Sequence, residues 1–134
     1  MPITYVVDHP RNIIVETWRG AIGADDLASY WRDYLADLDV MNCRRTLVDL
    51  RDARISFTGS ELSTLVREVV LPALRGRRWA TAILVAAPEQ YGTSRQYQVF
   101  AECYSTDFIF SDWDDAERWL VQQNPDWTPP PNTR

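Results

Sequence analysis

The sequence predicts an α/β fold: a mainly parallel sheet of about five strands with an antiparallel N-terminal edge hairpin, in the order ββαβαβαβα. Three observations predict it. Short apolar and β-branched runs recur along the chain, ITYVV, IIVETW, TLVDL, WATAILVAA and FIF. Only a turn, DHPRN, separates the first two, which makes them a hairpin. The later runs alternate with stretches of helical period, the arrangement that gives parallel strands joined by right-handed crossovers.

The first strand is Ile3 to Val7 and the second Ile13 to Trp18, with the turn Asp8 to Asn12 between them. His9, the chain's single histidine, sits beside Pro10 in that turn and reads as an exposed turn residue. Gly20 and Gly23 bracket a bend, and Asp25 and Asp26 then suit the positive end of a helix dipole. Leu27, Tyr30, Trp31, Tyr34, Leu35 and Leu38 recur at spacings of three and four, an amphipathic helix whose aromatic stripe either packs on the sheet, the better reading, or lines a ligand pocket. Asp39 to Arg45 reads as a linker.

Thr46 to Leu50 is the central strand, and the loop after it carries Ser56, Phe57, Thr58 and Gly59. Thr58 stands three residues ahead of Glu61, the capping-box spacing that opens a helix. Leu62, Leu65, Val66, Val69, Val70 and Ala73 form that helix's apolar face, and Pro72 is expected to bend or end it. Arg75 and Gly76 suit the helix end. Trp79 to Ala87 is the most continuous apolar run and reads as an interior strand covered on both faces. Pro88 to Gly92 reads as a break, followed by a helix from Thr93 to Tyr104 with Tyr97, Phe100, Ala101 and Tyr104 on one side. Phe108 to Phe110 is the last strand, and Asp112 caps a final helix that turns Trp113, Ala116, Trp119 and Leu120 inward. Residues 1–123 make one domain; 124–134 form a proline-rich tail, expected to be mobile, with Trp127 as its one docking candidate.

Composition narrows the function classes. The chain has 134 residues, 46% hydrophobic and 25% charged, enough for a core without disulfides or metal. The net charge of −5 argues against nucleic acid, because a duplex binder needs a basic face. All 14 basic residues are Arg, which reads as the codon bias of a GC-rich genome. Cys43 and Cys103 match no zinc spacing and read as reduced thiols of a cytoplasmic protein. No run is long enough for a transmembrane helix, while peripheral membrane contact and a symmetric homodimer stay open.

Three stretches, NIIVETWRGAIGADDL, TLVDLRDARISFTGSEL and DFIFSDWDDAERWL, together resemble the STAS fold, and most of all its SpoIIAA-like branch. The resemblance runs from about Thr4 to Val121, nearly the whole compact domain. STAS domains that antagonise anti-sigma factors carry a serine phosphoacceptor in a D-S-[ST]-G loop. The matching residues here are Ser56, Phe57, Thr58 and Gly59. Phe57 holds the phosphoacceptor position, so a phospho-switch of that kind is not expected at this side chain, and a helix cap accounts for the hydroxyls of Thr58 and Ser60. The resemblance implies a non-enzymatic regulatory module that binds a protein partner, or a carrier or sensor of an apolar, lipid-like small molecule.

The residues add little catalytic chemistry. Asp49 and Asp52 stand three apart at a strand end, but no His, Cys or further carboxylate completes a site with them, and salt links to Arg51 or Arg54 are the better reading. No phosphate loop, G-x-S-x-G or dinucleotide fingerprint occurs. No catalytic residue, metal or cofactor is expected. The candidate binding residues are Phe57, Thr58 and Ser60, in the loop where an open α/β sheet collects ligands, with Val66, Val70, Trp79 and Phe100 between the helix that follows, the Tyr91 to Tyr104 segment and the sheet. An outward-facing Phe57 with no cavity behind it would favour the partner-binding module. A cavity lined by Phe57, Val66, Val70, Trp79 and Phe100 would favour the carrier.

Overall fold

The structure, a computed structural model, describes residues 2–126. Trp127 and most of the proline-rich tail therefore lie outside the described residues.

Five strands form one sheet in the sequential order β1-β2-β3-β4-β5. They are β1 (Ile3–Asp8), β2 (Ile13–Ile22), β3 (Arg45–Ile55), β4 (Trp79–Leu84) and β5 (Ser105–Phe110). β1 pairs with β2 antiparallel through the expected hairpin, and every later pair is parallel. Because each crossover steps one strand in the same direction, right-handed connections place all the crossover helices on one face. α1 (Ala24–Ala36), α3 (Gly59–Leu65) and α5 (Pro88–Ala101) are those helices. The larger core cluster lies beneath them and includes Ile14, Trp18, Trp31, Leu50, Leu62 and Trp79. The opposite face is covered by α6 (Trp113–Leu120), whose Ala116 and Leu120 meet Ile13, Leu47, Ala80, Ala82 and Leu84. β4 lies between the two layers, and all six of its residues are buried.

Three local features depart from the sequence reading. The expected linker Asp39 to Arg45 contains a short helix, α2 (Leu38–Cys43), opened by the Asp37 carboxylate accepting from the Asp39 N–H at 2.9 Å. β3 runs on past Leu50 to Ile55, because β2 continues beside it to the pair Ile22 and Ile55 after β4 has ended. The expected break at Pro88 is the first turn of α5, where proline needs no donor. The buried Gln90 side chain accepts from the N–H groups of Ala86 (2.8 Å) and Ala87 (3.1 Å), and donates to the Ala53 carbonyl at 3.0 Å.

The helix that carries Pro72 ends two residues beyond it, at Leu74, with Arg75 and Gly76 in the left-handed conformation. α3 passes into a π-helical turn (Val66–Val70) and then into α4 (Leu71–Leu74). In a regular helix a four-residue step overshoots a full turn. The wider turn takes up the overshoot and holds Leu62, Val66, Val70 and Leu74 on one buried face. Proline's missing donor falls just after the wide turn, at an exposed position.

Candidate functional site

The crossover helices do not close fully on the sheet. A cavity of about 80 Å³ lies between them, roofed by α1, α3, the π turn and α5. Its floor follows from strand alternation, since alternate residues of neighbouring strands share a face. β2 contributes Glu16 and Trp18, β3 contributes Thr46, Val48 and Leu50, and β4 contributes Trp79, Thr81 and Ile83. The lateral registers Glu16–Val48–Ile83 and Thr46–Thr81 set these side chains in rows. The roof is Trp31, Tyr34 and Leu35 from α1, with Leu62, Val70, Ser94 and Tyr97.

Phe57 closes the arrangement. The loop after β3 turns it inward, its ring meets Trp18 edge-on at 6.3 Å between centroids, and it lines the cavity. Among the sequence candidates, Val70 and Trp79 line the cavity with it. Val66 is buried in the surrounding core, and Phe100 packs half-buried against that core. Thr58 and Ser60 are exposed. The Thr58 hydroxyl accepts from the Glu61 N–H at 3.1 Å, and the Glu61 carboxylate accepts from the Thr58 N–H at 2.9 Å, the reciprocal capping box.

Glu16 is the residue the sequence reading passed over. It is 3% exposed on the floor of the cavity. The Trp18 indole N–H donates to its Oε2 at 2.7 Å, and the Tyr30 hydroxyl donates to its Oε1 at 2.8 Å. Burial pushes its pKa up from the usual carboxylate range to about 7, with the two hydrogen bonds pulling the other way. Burial and the neighbouring Glu16 charge raise both Tyr30 and Tyr34, which remain neutral. The ion pairs of the described residues join Arg11, Arg44, Arg51, Arg118 and His9 to other carboxylates, and none includes Glu16. The signal was present in IIVETW, where alternation places Glu16 on the same face as Ile14 and Trp18.

Several other polar groups near the cavity are hydrogen-bonded. Thr46 Oγ1 meets the Tyr34 hydroxyl at 2.6 Å and accepts from the Trp79 indole at 3.0 Å. Ser94 donates to the Gln90 carbonyl at 2.7 Å, and Tyr97 and Tyr104 share a hydroxyl contact of 2.9 Å. Elsewhere, Asp49 takes the Arg51 guanidinium at 3.0 and 3.1 Å, and His9 stands exposed in its hairpin turn, 3.9 Å from Asp39. Among the described residues, no group of three or more His, Cys, Asp or Glu is placed to hold a metal ion. No helix among them is long and apolar enough to cross a membrane.

No protein-family model matches the chain, and no curated protein matches it either. Among solved structures, it is similar to an uncharacterized protein of the DUF3478 family with a SpoIIAA-like fold, from Shewanella loihica PV-4. The two share 15% sequence identity with a TM-score of 0.61, over 88% of this chain and 93% of that one. That likeness, with the antiparallel hairpin, the parallel strands that follow and the helices between them, gives this chain a SpoIIAA-like fold.

Proposed function

We propose that this protein is a non-enzymatic small-molecule binding module, a carrier or sensor whose ligand sits in the cavity beneath Phe57. One observation carries the reading: Phe57 faces inward and lines a cavity. An aromatic that anchored a protein partner would stand exposed at the loop. Burial of Phe57 therefore favours the ligand reading over the partner-binding one. The lining also has the composition of a ligand site, mostly apolar and aromatic with few polar groups.

The cavity limits the ligand's size. A void of about 150 Å³ admits a benzene ring, so one of 80 Å³ suits a smaller group or the end of a longer molecule. A surface groove between α1 and the π turn, lined by Leu65, Glu68 and Val69, shares Trp31 and Leu35 with the cavity. The π turn beside them is the segment whose hydrogen bonding already departs from the regular ladder.

Val70→Phe tests the reading by filling the space. Overpacking of this kind costs about 1–3 kcal/mol, so a melting curve first establishes that the variant is folded. The wild-type chain should give a saturable change in tryptophan fluorescence on titration with ethanol, and the filled variant should not. An equal response from both would place the binding elsewhere.

A further inference from the structure

We infer that the ligand of this cavity carries an ammonium group, held by the Glu16 carboxylate and the surrounding aromatic faces. The inference rests on the reading of the cavity as a ligand site and names the class of molecule it would take.

The argument starts from the cost of Glu16. A carboxylate removed from water is strongly destabilising unless a positive charge or several donors compensate it. Here the compensation is two neutral donors, Trp18 and Tyr30, one on each oxygen. A glutamine could accept from the Trp18 indole and donate to a rotated Tyr30 hydroxyl with no charge to desolvate. Each carboxylate oxygen can accept more than one hydrogen bond, and Glu16 contributes to the cavity wall. The site thus offers a buried anion with acceptor capacity left over, and no arginine lines the cavity to meet it.

The rest of the lining has the matching character. Trp18, Trp31, Tyr34, Phe57, Trp79 and Tyr97 surround the space. Aromatic faces carry negative potential and attract cations, more strongly where water is excluded. A carboxylate ligand would meet Glu16 with no basic side chain to offset the repulsion. A purely apolar ligand would leave Glu16 without a counter-charge. An ammonium satisfies both features at once.

Three probes with one carbon skeleton, each smaller than benzene, separate the cases: ethylamine, ethanol and acetate, each titrated into the full chain at pH 8. The readouts are calorimetry and the NMR signal of the Trp18 indole N–H, which reports on Glu16 directly. Ethylamine should bind about tenfold or more tighter than ethanol and shift the Trp18 signal, with acetate the weakest. In Glu16→Gln the amine-to-alcohol preference should fall by about fivefold or more. If ethanol or acetate binds as well as the amine, or the preference is undiminished in Glu16→Gln, the ammonium inference fails while the cavity reading stands. Failure of all three probes to bind overturns the inference and the cavity reading together. The ranking on the unsubstituted chain decides the matter even where Glu16→Gln does not fold.

Discussion

Glu16→Gln should change how stability depends on pH. The Glu16 pKa stands at about 7 in the folded chain, against 4.5 for the unperturbed side chain. Below the unfolded value both states hold the proton and burial carries no ionisation penalty. Between the two values the unfolded chain releases its proton and the folded chain keeps it, so stability falls as pH rises. Above about 7 both are ionised and the loss is complete, about 3 kcal/mol for a displacement of this size. Glutamine has nothing to ionise. Its amide oxygen still accepts from one neighbour, and the Tyr30 hydroxyl can rotate to accept from the amide N–H, so the network can be satisfied again. Urea unfolding of both chains at pH 5 and pH 8, without added ligand, measures the difference. The variant should gain about 2.5 kcal/mol relative to wild type between the two pH values, since part of the loss has already occurred at pH 5. Asp107 is also raised, to about 6, mainly by burial, and loses stability in the same direction. It is present in both chains, so its effect cancels from the difference. Parallel pH curves for the two chains would refute the assignment of the penalty to Glu16.

Two further substitutions test the frame around the cavity. Phe57→Ala removes a ring packed on Trp18 and should cost about 3–5 kcal/mol in unfolding free energy; a change within experimental error would mean that Phe57 is not packed inward. Thr58→Ala removes one half of the capping box and should cost about 1 kcal/mol by urea unfolding, while probe affinity stays within about twofold because the hydroxyl is exposed and away from the cavity. A large loss of affinity there would return the hydroxyl loop to the binding site.

The sheet was legible because each strand carries its own signal. The alternation of ITYVV and IIVETW and the short turn between them gave the hairpin, and the buried run from Trp79 gave the interior strand. The final helix was legible from Asp112, whose carboxylate accepts from the Asp115 N–H at 3.0 Å. What escaped depended on tertiary partners. β3 past Leu50 is rich in charge and reads as loop, yet β2 pairs with it as far as Ile55. Pro88 is a breaker inside a helix and an acceptable residue at its first turn, and the buried Gln90 that completes that turn looks like any exposed glutamine in sequence.

The site divided along the same line. Phe57, Val70 and Trp79 could be placed from strand ends and helical period. The direction in which the loop turns Phe57 could not, because no periodicity runs through a loop. Glu16 was missed although its strand was found, since the reading counted β-branched residues without asking which face the acid shared. Val66 and Phe100 share a helix face with cavity residues, but the cavity occupies only part of the space each helix covers.

Native mass spectrometry of the gently isolated chain, beside Val70→Phe prepared in the same way, decides whether the cavity holds a ligand. A wild-type chain carrying an added small-molecule mass that is released on unfolding, and a filled variant without it, is the result predicted here. Bare mass for both chains, or the same added mass on both, would contradict it.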